Sequence, residues 1–435
     1  MPIVNIGLIG YGTVGSGVVK GLALNAAGIL SRTGLDLRIK TIADIDIKRD
    51  RGVATDARLT TDYRAIVNDP DIQVGIELVG GIKIAFEIIS ELLKAGKKVV
   101  TANKALLAER GPELFQLARK HNTTIAFEAS TAGGIPIIAA MRDGLAGNTI
   151  ESFYGIVNGT SNYILTQMTH KECSYEKALK DAQAQGFAEA DPSFDVEGID
   201  SAHKLVMLTA IGFQTVVSTG DIHVEGITKI NKTDINFARE LGYAVKCLAI
   251  GIRRPQGLEL RVHPTLVPEK HPLASVNGVF NAICLNGNLV GQALFYGRGA
   301  GSLPTASAVI ADIIDSAQGG YALRFRHLCY FQEPGAAPQA ILPFEETVSR
   351  FYVRFTVKDV PGVLAGIAAI LNANRISVAS LLQKESSAGE TGIEMMTHAC
   401  VEKDFRKAVA ETGRLDYIVG RPAFIRAIDM GFESI

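Results

Sequence analysis

Residues 3–15 read IVNIGLIGYGTVG, and their pattern predicts the fold of the N-terminal part of the chain. Its apolar, β-branched beginning is typical of a buried strand, and Gly10, Gly12 and Gly15 follow directly after it. In such a turn the first glycine permits a tight bend, the second lets backbone approach a pyrophosphate, and the third lets helix pack on strand. Helical periodicity begins after the turn. The stretch therefore predicts a strand, a dinucleotide-binding turn and a helix whose N-terminus faces phosphate groups.

Strand and helix patterns alternate at short spacing beyond this turn. Strand candidates lie at 37–43, 74–78, 98–101 and 124–128, and the helix candidates between them lie at 84–94 and 112–121. Such alternation predicts an α/β fold with a parallel, doubly wound sheet of Rossmann type, which we place at residues 1–135.

The pattern changes twice further along the chain. Residues 136–320 mix long helical stretches with strand candidates, which predicts an α+β domain with a mostly antiparallel sheet. Proline is dense in FQEPGAAPQAILPFE at 331–345, so we expect a linker at 321–349. Residues 350–435 follow the order βαββαβ of a ferredoxin-like domain. Three domains are therefore expected.

Composition excludes several classes of protein. With 44 basic and 45 acidic side chains the net charge is -1, so the chain lacks the basic excess of a protein that binds nucleic acid through phosphates. No run of about 18 uncharged apolar residues occurs, and no basic signal-peptide region is seen, so we expect neither a membrane partner nor secretion. The five cysteines are widely spaced and odd in number, which favours a reducing, cytoplasmic location.

The second strand should end beside the adenosine ribose of the nucleotide. Asp44 follows Ala43 there and can accept a hydrogen bond from the 2′-hydroxyl of NAD, whereas Lys48 or Arg49 can pair with the 2′-phosphate of NADP. The basic pair is equally compatible with a solvated loop. The choice between NAD and NADP therefore stays open.

Five carboxylates fall within residues 189–200, and a lysine follows four residues after the last of them. If a helix begins at residue 199, Asp200 and Lys204 share one of its faces. Pro192 and Gly198 indicate an ordered loop before that helix. By spacing alone, a charged loop of this kind is more often solvated surface than a binding site.

Six motifs, in order along residues 3–320, resemble those of homoserine dehydrogenases. They are Glu77–Gly81 (ELVGG), Val99–Lys104 (VVTANK), Glu128–Pro136 (EASTAGGIP), Asn158–Ile164 (NGTSNYI), the acidic run within Ala182–Lys204, and Gly299–Thr305 (GAGSLPT). Residues 350–430 resemble an ACT domain, which commonly follows the catalytic part in this family.

The resemblance implies reversible, NAD(P)-dependent hydride transfer between L-homoserine and L-aspartate 4-semialdehyde, a step of threonine, methionine and isoleucine biosynthesis. It places Lys204 as the group that takes or returns the hydroxyl proton, with Lys104 beside the reacting centre. Glu189 and Asp200 correspond to substrate-binding positions, and Asp195 to an acidic position that orients the lysine or the substrate. Carboxylates suit an amino-acid substrate because they pair with its ammonium group.

The same resemblance implies where the nucleotide and a cation bind, and that the chain returns to the nucleotide domain near residues 300–320. The residues expected to contact the nucleotide are Gly10, Gly12, Thr13, Val14, Gly15, Ala43, Asp44, Lys104 and Gly301. The residues expected to hold a structural sodium ion, through a carboxylate and backbone carbonyls, are Glu128, Thr131, Gly133 and Ile135.

The middle domain would bind substrate and pair subunits, and the tail would regulate. Asp359–Leu364 (DVPGVL) resembles the ligand turn of ACT domains, so we expect feedback regulation by an amino acid such as L-threonine, with Asn372 and Asn374 near the ligand. ACT units commonly pair edge to edge, which favours a homodimer or homotetramer. The alternatives are an ACT module without ligand, a dehydrogenase of a related amino acid, and a non-catalytic regulator that senses NAD(P) and an amino acid.

Overall fold

The computed structural model describes residues 2–326, 328, 339–384 and 389–428. This part of the chain divides into two compact units. The first comprises residues 1–159, 200–222 and 279–339, and the second comprises residues 160–199, 223–278 and 340–435. Parts of the predicted linker and tail, at 329–338 and 429–435, lie outside the described residues. The predicted boundaries of three domains stay predictions.

A six-stranded parallel sheet lies at the centre of the first unit. Its strands are β1 (Ile3–Ile9), β2 (Asp36–Ala43), β3 (Arg58–Thr60), β4 (Ile72–Glu77), β5 (Lys98–Thr101) and β6 (Ile125–Ala126). They run in the order β3-β2-β1-β4-β5-β6. The strand order reverses between β1 and β4, the position at which open parallel sheets bind nucleotides. The predicted Rossmann-type sheet is confirmed.

The helices of this sheet are α1 (Thr13–Thr33), α2 (Arg64–Val67), α3 (Lys83–Lys94) and α4 (Lys104–Lys120). The spacing predicts that the last of them begins at residue 112, and that prediction is wrong. The side chain of Asn103 accepts a hydrogen bond from the backbone N–H of Leu106, which caps a helix that begins two turns earlier. Lys104 therefore lies in the first turn of α4, close behind β5.

Helix α1 is long and apolar enough to cross a membrane when only length and composition are considered, although no such segment was expected. Its residues Val18, Val19 and Leu22 are buried in the first unit, where α1 packs against β2 and against α11 (Ser302–Gln318). A Cβ on Gly17 would lie 2.5 Å from the carbonyl oxygen of Ser302. These are the contacts of a core helix in a doubly wound unit.

A small antiparallel sheet also belongs to the first unit. Strand β11 (Phe280–Gly287) pairs with β7 (Ile150–Ile156) on one side and with β12 (Gly291–Arg298) on the other. The remaining helices of this part are α5 (Ile137–Ala139), α9 (Ile199–Gly212) and α12 (Gly320–Phe325). Helix α9 carries the chain into the first unit at Asp200.

The second unit contains a sheet in the order β9-β10-β17-β13-β15-β14, with β8 beside β10 and β16 beside β13. Its strands are β8 (His223–Val224), β9 (Tyr243–Arg254), β10 (Gly257–Pro268), β13 (Val348–Lys358), β14 (Val378–Lys384), β15 (Glu390–Thr397), β16 (Cys400–Val401) and β17 (Ala423–Ala427). Its helices are α6 (Gly159–His170), α7 (Tyr175–Ala184), α8 (Ser193–Val196), α10 (Lys232–Glu240), α13 (Val363–Ala373) and α14 (Glu402–Thr412).

The C-terminal elements follow the order β13-α13-β14-β15-α14-β17, which confirms the predicted βαββαβ fold, with β16 as a short addition. Their core is apolar, and the rings of Phe351 and Phe405 stack with centroids 3.8 Å apart. Strand β17 lies between β13 and β10. The C-terminal domain therefore shares a sheet with β10, a connection that the predicted linker did not suggest.

Candidate active site

The glycine turn between β1 and α1 has the geometry that a dinucleotide requires. Gly10 has φ +100°, and a Cβ there would lie 2.5 Å from the backbone carbon of Leu78. A Cβ on Gly15 would lie 2.1 Å from the carbonyl oxygen of Gly10, so α1 closes directly over the turn. The Cβ position of Gly12, in contrast, meets no atom within 4 Å. That open space beside the first turn of α1 fits an approaching pyrophosphate.

The chain returns to this turn at the start of α11. The hydroxyl of Ser302 donates to the carbonyl oxygen of Thr13 at 2.8 Å, and Thr13 and Val14 form the first turn of α1. Gly301, directly before α11, has φ +126°, a conformation that favours glycine. The predicted nucleotide residues that the structure brings around this turn are Gly10, Gly12, Thr13, Val14, Gly15 and Gly301.

Asp44, directly after β2, is tied to the same turn. Its Oδ2 accepts a hydrogen bond from the backbone N–H of Tyr11 at 2.6 Å, and its Oδ1 lies 3.2 Å from Nη2 of Arg51. The carbonyl of the preceding residue, Ala43, accepts from the N–H of Gly10 at 2.9 Å. Both predicted adenosine-side residues are therefore next to the glycine turn.

Arg51 is a candidate nucleotide residue that the sequence pattern did not single out. Its Nε donates to the carbonyl oxygen of Tyr11 at 2.9 Å, and its side chain is only 9% exposed. The predicted cations Lys48 and Arg49 are exposed. Spacing along the loop does not distinguish these three cations, because the path of the loop decides which of them turns back to Asp44.

The ends of β4 and β5 build the position of Lys104. The buried carboxylate of Glu77 accepts from the backbone N–H of Val79 at 2.8 Å and from the hydroxyl of Thr101 at 2.7 Å. The same hydroxyl accepts from the N–H of Asn103 at 3.0 Å. Burial raises the pKa of Glu77, although these hydrogen bonds oppose the shift. The network fixes the turn that leads from β5 into Lys104.

Two lysines and an aspartate converge at the start of α9. Nζ of Lys204 lies 2.7 Å from Oδ2 of Asp200, and Nζ of Lys104 lies 3.2 Å from its Oδ1. Lys204 also donates to the carbonyl oxygen of Val157 at 2.6 Å. The amide of Asn158 donates to Asp200 Oδ2 at 2.8 Å. The prediction that Asp200 and Lys204 share a helix face is confirmed by their contact, and Lys104 joins them from α4.

The charges of this lysine–aspartate cluster are buried to different degrees. Asp200 and Lys204 are almost fully buried, whereas the side chain of Lys104 is 30% exposed. Burial alone would raise the pKa of Asp200, but the ammonium groups of Lys204 and Lys104 lower it well below its ordinary value. Asp200 is therefore a carboxylate held between two cations, an arrangement that can orient a proton-transferring lysine.

Glu189 and Asp195 belong to the second unit, in residues 189–198, which we call the acidic loop. The side-chain amide of Gln183 donates to the carbonyl oxygen of Glu189 at 3.1 Å. The hydroxyl of Ser161 donates to the carbonyl oxygen of Asp195 at 3.0 Å. These bonds hold the loop by its backbone, while the side chain of Glu189 is exposed. Their roles toward a substrate stay predictions.

Glu128 is a buried carboxylate at the N-terminus of α5. Its Oε1 and Oε2 accept from the backbone N–H groups of Ile138 and Ala139 at 2.9 and 2.7 Å. Its own N–H donates to Oδ2 of Asp312 at 2.8 Å. Burial raises the pKa of Glu128 to about 7, and burial together with the nearby Glu128 raises the pKa of Asp312. Two acidic groups thus lie together in a poorly hydrated place.

The predicted cation segment continues from Glu128 through Thr131, Gly133 and Ile135. A cavity of about 330 Å³ touches it, lined by Glu128, Gly133 and Asp312 among others. No group of three or more His, Cys, Asp or Glu side chains that could hold a metal occurs among the described residues. A cation here would therefore depend on backbone carbonyl oxygens, which together with a carboxylate are the hard ligands that sodium accepts.

Three contacts of this region escaped prediction from the sequence. Asp312 and the amide of Asn158 are separated by 184 and 42 residues of chain from the groups they touch. Arg51 is only seven residues from Asp44, but the path of the loop, not the spacing, turns it back to that carboxylate. Asn158 stands in the quoted NGTSNYI motif, so the motif was the available signal. Nothing in local spacing indicates that it pairs with Asp200, 42 residues later.

Three family models match consecutive parts of the chain. Residues 10–128 match the NAD-binding domain of homoserine dehydrogenase, residues 136–314 match homoserine dehydrogenase itself, and residues 351–416 match the ACT domain.

Relatives and solved structures that are named homoserine dehydrogenase are similar to this chain over nearly its whole length. The chain is 46% identical over 422 residues to a homoserine dehydrogenase of Neisseria gonorrhoeae, and the aligned region covers 96% of this chain and 97% of that protein. The corresponding protein of Pseudomonas aeruginosa is 42% identical, with 98% and 99% covered. A homoserine dehydrogenase from Thiobacillus denitrificans superposes with a TM-score of 0.93 at 42% identity and 99% coverage of both chains.

A more distant structure bears on the cofactor. A hyperthermophilic archaeal homoserine dehydrogenase in complex with NADPH matches 73% of this chain and 98% of its own, with a TM-score of 0.63 and 26% identity. Together with the glycine turn, these likenesses establish an NAD(P)-binding oxidoreductase. The chain belongs to the homoserine dehydrogenase family, in the form that carries a C-terminal ACT domain.

Proposed function

We propose that the chain interconverts L-homoserine and L-aspartate 4-semialdehyde with NAD(P), and that Lys204 and Lys104 carry the chemistry. One observation supports this placement above all: two ammonium groups reach a single buried carboxylate, Asp200, at 2.7 and 3.2 Å. A non-catalytic sensor would not need such an arrangement.

The residues divide the work of an alcohol oxidation. When bound, the nicotinamide ring supplies the hydride acceptor, and in reverse the donor. In the direction of homoserine formation, the ammonium of Lys204 gives its proton to the oxygen that receives negative charge, which leaves Nζ as an amine. In the direction of oxidation, Nζ starts as that amine and takes the hydroxyl proton as hydride leaves the carbon, which restores the ammonium that pairs with Asp200. The ammonium of Lys104 stabilises negative charge that develops on the oxygen. Asp200 holds both lysines in place.

An assay of homoserine oxidation, followed by NAD(P)H formation, tests this proposal. Replacing Lys204 with Ala should lower kcat by about 10²–10⁴-fold, the usual contribution of a proton-transfer group. Lys120→Ala is the matched control, since Lys120 is an exposed lysine at the far end of α4 and should leave kcat unchanged. A Lys204→Ala enzyme within about threefold of wild type contradicts the role. A signal with a related amino acid but not with homoserine contradicts the substrate.

We further propose that Glu189, Asp195 and Asp200 recognise the substrate. The acidic loop runs directly into α9, so that Asp195 and Asp200 are five residues apart across the helix start. Carboxylates of this kind pair with the ammonium group of an amino acid. Replacing Glu189 with Gln should raise the KM for homoserine without changing the KM for the nucleotide, and equal changes in both would argue against the assignment.

For the nucleotide, we propose that the enzyme accepts NADP as well as NAD. The guanidinium of Arg51 neutralises Asp44, the carboxylate that would otherwise repel a 2′-phosphate. Lys104 is proposed to contact the nicotinamide side as well as the substrate.

A structural sodium ion is proposed at Glu128 and the carbonyls of Thr131, Gly133 and Ile135. Support comes from the burial of two acidic groups, Glu128 and Asp312, beside a cavity. A cation there offsets charge that burial leaves poorly solvated. Sodium chloride should raise the midpoint of thermal unfolding more than choline chloride at equal ionic strength, and equal effects of the two salts would contradict the site.

The ACT domain supports regulation by a small molecule, for which we propose an amino acid such as L-threonine. Asn374, predicted near the ligand, instead donates its amide to Ile370 and Glu411, which leaves the exposed Asn372 as the better candidate. Titration of the full chain with L-threonine tests this, and activity unchanged at saturating threonine contradicts it.

We also propose a cytoplasmic homodimer or homotetramer. Among the described residues Cys173, Cys247 and Cys284 are buried free thiols, in keeping with a reducing compartment. Sedimentation would establish the number of subunits, and a monomer at micromolar concentration would contradict the proposal.

A further inference from the structure

A cluster of charges, two of them buried, joins the C-terminal domain to the segment after β8. Arg426, in β17, donates from Nη1 to Glu225 Oε2 at 2.8 Å and from Nη2 to Glu402 Oε1 at 2.6 Å. Arg406, in α14, reaches Glu225 Oε1 at 2.8 Å. The side chains of Arg426 and Glu402 are 2% and 0% exposed, so the charge-assisted bond between them lies away from water. Glu225 and Arg406 lie at the edge of this pair, with side chains 33% and 41% exposed.

Glu225 begins a short segment whose backbone reaches the acidic loop. Its N–H donates to the carbonyl oxygen of Val262 on β10 at 2.8 Å. Two residues later, the N–H of Ile227 donates to the carbonyl oxygen of Val196 in α8, also at 2.8 Å. Gly226 lies so close to α8 that a Cβ on it would be 2.4 Å from that same carbonyl oxygen.

The acidic loop thus has two anchors in the second unit. Ser161 of α6 holds the carbonyl of Asp195, and Ile227 holds the carbonyl of Val196. Residues 225–227 connect the second of these bonds to the C-terminal domain, because Glu225 at the start of this segment is bonded by Arg426 of β17 and Arg406 of α14.

We propose that Glu225 is a positioning residue for the substrate: it transmits the position of the C-terminal domain to the acidic loop. Because this role rests on the proposed function of Glu189 and Asp195, it deepens that function. An effector bound to the C-terminal domain could act on substrate binding in the same way, because a shift of β17 or α14 moves the arginines that hold the carboxylate of Glu225. Such a route predicts a coupling energy between Glu225 and the arginines, which the following variants measure.

The first test is Glu225→Gln in the full chain, which keeps the shape of the side chain and removes its charge. We expect the KM for homoserine to rise about 5- to 30-fold, within the usual range of coupling between sites. The KM for the nucleotide and kcat should stay within about twofold and threefold, which loss of folding alone would not produce. An unchanged KM for homoserine overturns the inference.

The second test is a double-mutant cycle with Arg406→Gln. Arg406 is 41% exposed and also donates from Nε to Glu402 Oε1 at 2.6 Å, so the variant removes one partner of Glu402 but keeps Arg426 paired with it. If the two residues act through one contact, the double variant should have the homoserine KM of Glu225→Gln alone. Effects that multiply instead would show independent actions and contradict the route.

Glu259→Gln is the matched control, because Glu259 is a buried carboxylate of β10 that pairs with Arg254 and Arg261. It should alter stability but not the KM for homoserine.

Backbone hydrogen exchange separates this inference from the proposed function, because it needs no substrate. Glu225→Gln should speed exchange of the Ile227 N–H about tenfold or more, with little change at Leu260 in β10. Unaltered exchange at Ile227 overturns the route even if homoserine is oxidised normally. Faster exchange in a protein that does not oxidise homoserine would overturn the proposed function and leave the route standing.

Discussion

Asp200 shows how much of the site depends on one residue. Its carboxylate contacts Lys204, Lys104 and the amide of Asn158, and it is 4% exposed. A buried carboxylate is costly when unpaired, and two ammonium groups near each other repel when nothing lies between them. The three charges therefore depend on each other, because removal of the Asp200 carboxylate takes away the ion pair of both Lys204 and Lys104.

Asp200→Asn should lower kcat/KM about 100-fold or more, because it leaves both lysines without their shared counter-charge. It should also change acid stability. The folded pKa of Asp200 is lowered, so the group stabilises the fold above its unfolded pKa of about 4 and loses that contribution as pH falls further. Thermal unfolding between pH 7 and 3 checks this. The wild-type advantage should be full at pH 7 and shrink below about pH 4, and an advantage that grows with acid would be contrary to this sign.

Arg51 carries a prediction about nucleotide choice. Arg51→Gln should raise the KM for NADP about tenfold or more and change the KM for NAD by less than threefold, because a 2′-phosphate loses a charge-assisted bond that a hydroxyl does not use. Steady-state assays with the two nucleotides measure the ratio. Arg49→Gln serves as the control, since its side chain is exposed. If Arg49 rather than Arg51 alters the ratio, the loop turns differently around the nucleotide than we propose.

Among the secondary-structure elements, the turn between β1 and α1 contains two glycines whose replacement should have different effects, one on folding and one on nucleotide binding. Gly15 has no room for a Cβ, whereas Gly12 has open space and a φ of −79° that any residue adopts. The same motif therefore contains one glycine, Gly15, that close packing of the turn requires, and one, Gly12, whose open space we propose the nucleotide to use.

The two alanine variants should behave differently. Gly15→Ala should lower the free energy of unfolding by about 1–3 kcal/mol, as overpacking does. Gly12→Ala should fold with a nearly unchanged melting temperature but raise the nucleotide KM about tenfold or more, because its methyl group occupies the space of the pyrophosphate. Melting curves and nucleotide titrations of both proteins check the contrast. Equal destabilisation by the two substitutions would contradict it.

In the molecule as a whole, the ACT domain is part of a sheet of the second unit. Strand β17 pairs with β10 through Thr265 opposite Arg426, and residues of β10 such as His263 and Thr265 are fully buried. The domain is thus joined to the rest of the second unit by strand pairing. Its removal would uncover the edge of β10 and the carboxylate of Glu225.

A chain truncated before residue 345 should therefore aggregate or lose most of its secondary structure, because an exposed apolar strand edge is a template for pairing. Size-exclusion chromatography and circular dichroism check this. A monodisperse, active truncated enzyme would contradict it. Feedback by threonine is accordingly better tested by titrating the full chain than by deleting the tail.

Local sequence patterns were enough to predict the parallel nucleotide unit and the βαββαβ tail, because periodicity and glycine spacing are properties of neighbouring residues. The candidate residues Lys204, Asp200, Lys104 and Glu128 came instead from the resemblance of six motifs to those of homoserine dehydrogenases. The helix face shared by Asp200 and Lys204 also follows, because four residues make about one turn.

Which charged and polar groups contact each other could be read only from the tertiary structure. Arg51 rather than Arg49 faces Asp44, Asn158 pairs with Asp200, Asp312 lies beside Glu128, and Arg426 reaches Glu225 across 201 residues of chain. Such pairings depend on how elements pack and on the path of loops between them. A buried charged group costs free energy unless it has a partner. The topology of the chain, rather than the spacing of residues in the sequence, determines which partner lies within reach.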